Sequence, residues 1–544
     1  MIAVELVFNL FVGLGIFLFG MNQIENSLRQ LGSHRLRQIF ASGTATSWKS
    51  VALGVVTTAL LQSSSMVSLM VQALAAAGLM PLINGVGIIL GANLGTTLTG
   101  WLVALLGFKL SLDTLAIPLL GIASLGLVFA ARRLRLQLWF SLLLGIGLLL
   151  FGLGHMKTAV QDLPALLPIA SLHGQPAVVY LLVGTLLTAV IQSSSATMMI
   201  ALAALHGGLL ELPAAAALII GADLGTTSTS ALASIKGSAT RKQLALAHVV
   251  FNLLVDLAAF IIILPALPYL LDLVGLQDPL LSLVAFHSIF NLIGLSCFLP
   301  FLRPFSAWVG SFFQAPERSH YPRLAEIPLD VAEVALAAFT HTVHLQVADV
   351  LSLNRSTLAL SEADDDEIQG SDDAFAYRYE SIKAIEGELL RYGHKLQQNG
   401  LEEEQAQRLD NLLRCSREAV FSAKSIKDIR ANLSRLHQGE FGRYEDIYLH
   451  GLKGLYDQFQ TLLTGKHQND YLRESLRQID LESRQLHESV HRDIITQAPA
   501  EDLSSSDLST LLNINREVWQ ATVRLRSALE LILLPPASEL TALK

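Results

Sequence analysis

Along the first 300 positions of this chain, apolar residues run in blocks at roughly 3–24, 83–106, 112–130, 137–156, 213–234, 243–272 and 279–301. Each block is near the ~20 residues a helix needs to cross a bilayer, so seven spanning helices are expected. Two further apolar stretches, 51–80 and 177–208, are interrupted by Gln62-Ser63-Ser64-Ser65 and Gln192-Ser193-Ser194-Ser195. A lipid-facing helix does not tolerate such a cluster, whereas a hairpin buried in protein does, so both stretches are expected to be re-entrant. Beyond about Glu317 the pattern becomes amphipathic. Leu409, Leu412 and Leu413, then Ala419, Val420 and Ala423, recur at helical spacing between polar links such as 364–373 and 397–404, with no alternating strand pattern. That part reads as a soluble all-helical bundle of antiparallel hairpins.

Charge divides the chain at the same place. Through Pro316 there are 13 basic and 9 acidic residues, against 25 and 37 beyond it, so the two parts are suited to lipid and water respectively. The basic residues of the first part cluster at Arg29/Arg35/Arg37/Lys49, Arg132/Arg133/Arg135, Lys236/Arg241/Lys242 and Arg303. With both interrupted stretches entering and leaving on one side, all four clusters fall on the cytoplasmic face, as the positive-inside rule requires. Had each stretch crossed once, the Arg132–Arg135 group would lie outside. The N-terminus is therefore expected outside, with residues 3–24 a retained span rather than a cleaved signal, and the C-terminal part inside. Cys297 and Cys415 show no ligand or disulfide spacing.

The interrupted stretches belong to a duplication. Gly91-Ala92-Asn93-Leu94-Gly95-Thr96-Thr97 recurs as Gly221-Ala222-Asp223-Leu224-Gly225-Thr226-Thr227, at the offset of 130 that also relates the two Gln-Ser-Ser-Ser clusters. Gly54/Gly184, Thr58/Thr188 and Ala59/Ala189 share that offset, and Phe19-Gly20/Phe151-Gly152 extends it with two residues more. The expected topology gives the two units opposite orientations. The expected fold class is thus all-α: a polytopic membrane domain over 1–310 with inverted repeats at about 1–130 and 137–301 and two re-entrant hairpins, a linker over 311–335, and a soluble helical bundle over 336–544. Inverted repeats with broken polar helices are the architecture of secondary transporters, which bind substrate at the repeat interface near mid-membrane.

The chemistry at those positions is oxygen-rich and uncharged. Hydroxyls and a carboxamide coordinate a small dehydrated cation and also donate to an anion, and helix ends at a hairpin tip add backbone donors. No Lys or Arg lies mid-repeat, so a bound dianion would need cations beside it. The candidate substrate and ion ligands are Gln62, Ser63, Ser64, Ser65, Asn93, Thr96 and Thr97, with Gln192, Ser193, Ser194, Ser195, Asp223, Thr226 and Thr227. A carboxylate at the depth of Asp223 points to an ion site, with sodium the expected ion, and a carboxylate snorkelling near a helix end is the plainer alternative. Helix packing by small polar residues is the bland alternative for the serines. His248-x-x-Phe251-Asn252 and His287-x-x-Phe290-Asn291 place a His and an Asn on one helix face each, suited equally to substrate contact and to polar packing. Asp256, one turn past Asn252, is a weaker candidate.

These motifs together resemble the sodium/phosphate cotransporter family, type II, over roughly residues 1–310. The resemblance implies sodium-driven movement of inorganic phosphate, with the serine-rich hairpins Gln62–Ser65 and Gln192–Ser195 forming the site. The later region resembles a PhoU-type domain of bacterial members. The nearest match to that domain's acidic metal pattern, Lys424-x-x-x-Asp428, begins with lysine, against metal binding. The expected setting is the bacterial inner membrane, with phosphate, sodium and lipid as partners and a second copy of the chain as a candidate; neither nucleic acid nor a cofactor beyond co-transported Na+ is expected. Import and export both remain open, as does a membrane-anchored phosphate sensor. No nucleotide loop, metal triad or nucleophile–base pair points to an enzyme.

Overall fold

The computed structural model describes residues 2–42, 47–105, 115–130, 133–162, 174–314, 321–329, 332–360, 372–438, 441, 443–465, 467–496 and 503–534. Their secondary structure is helical throughout, and the chain divides into two compact units, Met1–Arg318 and Ser319–Lys544. Arg132 and residues 106–114 lie outside the described residues, as do the side chains of Arg29, Arg35, Arg37 and Arg135.

The first unit opens with α1 (Ile2–Ser42), α2 (Ser47–Leu61), α3 (Ser64–Ala76), α4 (Leu82–Leu102) and α5 (Ala116–Phe129). It continues with α6 (Leu134–Asp162), α7 (Ala177–Ile191), α8 (Ser194–His206), α9 (Leu212–Ser234) and α10 (Ala239–Ala258). A π-helical turn, Ala259–Ile263, then leads into α11 (Leu264–Val274), α12 (Pro279–Phe298) and α13 (Leu302–Gly310). Among the described residues of this unit, four helical stretches are long and apolar enough to cross a membrane: Leu82–Leu105, Leu136–Met156, Ala239–Tyr269 and Pro279–Gly310. The expected block 3–24 is part of one 41-residue helix. Block 213–234 is helical as α9, but its Gly, Ser, Thr and Asp residues keep it out of that set. The outward surface is apolar, with Ile117, Val128, Leu186, Leu254, Ile261 and Ile262 exposed. On α10 the usual amphipathic order is reversed, His248, Asn252 and Asp256 facing in and Leu253, Leu254 and Leu257 facing out, as expected of a helix whose solvent is lipid. The first unit is that of a multi-pass membrane protein.

Each Gln-Ser pair breaks its helix in the same way. Gln62 and Gln192 both adopt φ 58°, a left-handed conformation that ends α2 and α7. Ser63 and Ser193 then cap α3 and α8, each hydroxyl accepting from the amide three residues on, at 3.3 Å. In the second repeat the arms fold back on each other, because the Thr188 hydroxyl donates to that of Thr197 at 2.7 Å; nine residues of straight helix would separate the pair by about 13 Å.

The duplicated glycines are where neighbouring helices touch. A Cβ on Gly91 would lie 2.1 Å from the Val51 carbonyl oxygen, and one on Gly221 2.0 Å from that of Leu181. The converse contacts, Gly54 on Ile88 and Gly184 on Leu218, repeat at 2.1 and 2.0 Å. So α2 lies backbone to backbone along α4, as α7 does along α9, the close approach that small residues permit in membranes. Between repeats, α1 meets α6 through Gly13 with Gly152 and Gly20 with Gly145. The residue number rises on one helix as it falls on the other, so the two run antiparallel.

The second unit contains α14 (Ala332–Thr357), α15 (Asp372–Gln398), α16 (Glu403–Asp428), α17 (Arg430–His437), α18 (Tyr444–Thr464), α19 (Asn469–Thr496) and α20 (Ser505–Leu533). By length and composition α14 also qualifies as a span, yet it packs against α15, α16, α18 and α20 in a helical bundle. Phe339, Phe441, Tyr456 and Phe459 fill that core. Burial pushes the Cys415 thiol well above its usual range, and its Sγ donates to the Ala528 carbonyl; it is a packed residue rather than a reactive one.

Candidate functional site

Three helices of the second repeat region and one of the first meet around a small cavity. Its lining includes Thr96 and Thr99 from α4, Ser194 and Ser195 from α8, Asp223 from α9 and His287 from α12. Ser194 and Ser195 are the first residues of α8, so the amides at that helix start, which have no carbonyl partner within the helix, accompany the two hydroxyls. The lining offers hydroxyl, amide, imidazole and carboxylate groups and no Lys or Arg.

The polar residues behind the cavity form one chain of hydrogen bonds. The Asn93 amide donates to Asn252 Oδ1, and Asn252 Nδ2 in turn donates to the Asp223 carbonyl oxygen at 2.9 Å. Asn291 Nδ2 donates to the Asp223 carboxylate at 3.1 Å. Both Asn residues of the His-x-x-Phe-Asn pair therefore hold Asp223, one by its backbone and one by its side chain. His248 lies one turn back from Asn252, its Nδ1 3.0 Å from the Ser230 hydroxyl. These side chains are all nearly or fully buried.

The two serine clusters are not used alike. Gln62 reaches the cavity wall indirectly, its Oε1 accepting from the Thr99 hydroxyl at 2.9 Å. Ser63, Ser64 and Ser65 are not among the lining residues, and Gln192 is exposed. Thr97 and Thr227 each donate to a carbonyl of their own helix at 2.8 Å, and Thr96 and Thr226 do so at 3.0 Å. Of these four threonines only Thr96 lines the cavity. Thr99 is the polar lining residue that motif matching misses, beside the apolar Met198 and Ile219; its place three residues after Thr96, on the same helix face, is the signal that finds it. Ser68 and Gln72 also escape notice, although Ser64, Ser68 and Gln72 follow one another at four-residue spacing. Both are fully buried, and the Ser68 hydroxyl and the Gln72 carboxamide have no hydrogen-bond partner among the described residues. No group of three His, Cys, Asp or Glu side chains is placed to hold a metal ion among the described residues.

Residues 16–158 and 169–269 match the Na+/Pi-cotransporter family. The chain is 29% identical over 293 residues to the uncharacterized protein YqeW of Bacillus subtilis, covering 52% of this chain and 91% of that protein. It is 27% identical over 302 residues to YjbB of Escherichia coli O157:H7, whose name provisionally assigns inorganic phosphate export, covering 54% of each chain. YjbB of Salmonella typhimurium, with the same provisional name, is 25% identical over a similar stretch. The chain thus spans about half the length of the YjbB relatives it matches. No solved structure matches.

Proposed function

Because the first unit of this chain belongs to the Na+/Pi-cotransporter family, we propose that the protein moves inorganic phosphate across a membrane by sodium-coupled alternating access between two inverted repeats. The observation that carries this reading is the cavity in which hydroxyls of both repeats, Thr96 and Thr99 with Ser194 and Ser195, meet the carboxylate of Asp223. A phosphate dianion accepts hydrogen bonds from the hydroxyls and the α8 amides. With no cationic side chain in the lining, co-bound sodium ions supply the counter-charge, one of them at Asp223 cancelling its carboxylate and the others facing the dianion. Inversion of the repeats is supported by the antiparallel α1–α6 contact: Gly13 and Gly20 of one unit correspond to Gly145 and Gly152 of the other, so exchanging the units returns the same contact. Re-entrance of the broken hairpins is supported by the basic clusters, all cytoplasmic in that arrangement.

The sodium and phosphate gradients set the direction. The provisional name of the YjbB relatives favours export as the physiological one. The second unit is proposed to be a cytoplasmic PhoU-like module that adjusts transport to phosphate supply. Purified protein in liposomes, loaded with labelled phosphate and given a sodium gradient of either sign, tests the reading. Phosphate flux should follow the sodium gradient in both directions, and Ser194→Ala should weaken apparent phosphate affinity about tenfold, as expected for a lost hydrogen bond to a charged group. No phosphate flux, or flux indifferent to sodium, would overturn it.

A further inference from the structure

Asp256 is 2% exposed and neither of its carboxylate oxygens has a hydrogen-bond partner among the described residues. An ionised carboxylate left alone in a buried site carries a penalty of several kcal/mol even after relaxation, on the order given for buried ions. It is therefore paired, neutralised or occupied by a ligand. Its surroundings indicate which.

Asp256 sits one turn past Asn252 on the inward face of α10, and Asn252 is bonded to the Asp223 backbone. Asp223 and Asp256 are within electrostatic reach of one another. On the other side, α12 approaches so closely that a Cβ on Gly294 would lie 2.5 Å from Val255 Cγ1. Val255 precedes Asp256 and Gly294 is three residues past Asn291, so this contact sets Asp256 and Asn291 on adjoining stretches of the two helices. Asn291, 1% exposed as a residue, donates its amide to Asp223, and its Oδ1 has no partner among the described residues, which leaves it as an acceptor. Two carboxylates and a carboxamide oxygen thus lie on three adjoining helices, and no Lys or Arg among the described residues bonds to them. The π-helical turn Ala259–Ile263 begins three residues after Asp256, a local widening of the helix of the kind found at functional sites.

We propose that Asp256, Asp223 and Asn291 Oδ1 contribute oxygens to a site for a monovalent cation, with Asp256 an indispensable ligand. Oxygen-only ligation suits a hard cation. The small ligand set disfavours calcium, which takes six to eight oxygens, and magnesium, which retains several waters. The site rests on the transport reading only for the choice of sodium as the first probe.

The test uses the full chain in detergent or nanodiscs, free of phosphate, with sodium chloride exchanged against choline chloride at constant ionic strength. Bound sodium raises the thermal midpoint in a saturable way, and Asp256→Asn should raise the half-saturating sodium concentration at least tenfold. The proposal is overturned by a half-saturating concentration unchanged in Asp256→Asn, or by wild-type protein that sodium stabilises no more than choline does. Stabilisation by calcium or magnesium but not sodium would also overturn it. The wild-type titration decides alone if the variant does not fold. Sodium-dependent stabilisation without phosphate flux would strike the transport reading and leave this site standing. Sodium-driven flux without that dependence on Asp256 would do the reverse.

Discussion

The two broken helices share a turn and differ in almost everything that the turn presents. In the second repeat the arms are tied by Thr188 and Thr197, and the tip residues Ser194 and Ser195 face the cavity. In the first repeat the position of Thr197 is taken by Val67, and the buried Thr58 hydroxyl has no partner among the described residues. There Gln62 is spent on Thr99, and the far arm carries Ser68 and Gln72 where the second repeat has Met198 and Leu202. Duplication has therefore kept the backbone geometry and let the chemistry diverge. One half presents its helix start to the cavity beside a carboxylate, and the other buries an unpaired polar stripe.

What the halves share is the more fragile part. Gly91→Ala and Gly221→Ala each drive a methyl group into a carbonyl oxygen about 2 Å away, and a backbone carbonyl inside a helix has no rotamer through which to move aside. Overpacking typically costs about 1–3 kcal/mol, and both substitutions should lie at or above the top of that range. The yield of monodisperse protein and its thermal midpoint should fall together and by similar amounts for the two variants. A tolerated Gly221→Ala beside a ruinous Gly91→Ala would mean that the halves are not built alike.

Asn93 and Asp223 occupy equivalent positions, yet exchanging their chemistry should give unequal results. Asn93→Asp removes the donor to Asn252 Oδ1 and sets a carboxylate against that oxygen, an unsatisfied buried pair expected to cost about 1–3 kcal/mol. Asp223→Asn keeps an oxygen to accept from Asn291 and removes only charge, so its stability should change little while phosphate flux needs more sodium. Thermal unfolding and the sodium dependence of flux, measured on both variants, separate the two effects. Matching losses of stability would show that Asp223, like Asn93, is a structural polar group.

The repeat, the helix breaks and the candidate residues at Asp223 were readable because two motifs preserved at one offset are hard to produce by packing alone. The Gln-Ser pair also encodes its own geometry, a helix end followed by an N-cap. The unequal use of the two clusters was not readable, because it depends on substitutions such as Val67 for Thr197 that look conservative in a hydropathy pattern. The pairing of Asn252 and Asn291 with Asp223 is a contact across 29 and 68 residues, and i, i+4 spacing reports only which residues share a face. The glycine contacts lay between these cases: Gly54/Gly184 were visible as matches, but their role as helix-to-helix contact points needed the partner carbonyls.

The smallest difference between the hairpins is a single hydroxyl, and it is testable in both directions. Thr197→Val should leave Thr188 in the state that Thr58 already occupies, a buried hydroxyl without a partner, at a cost of about 1 kcal/mol. Val67→Thr should supply Thr58 with the missing partner across the turn and raise stability by up to about 1 kcal/mol. The shifts in thermal midpoint should have opposite signs, and the double variant should lie near wild type, since the sites are on different hairpins and act independently. A Val67→Thr variant no more stable than wild type would mean that the first hairpin's arms do not meet at Thr58 as the second's do at Thr188. The likeness between the two hairpins would then stop at the turn itself.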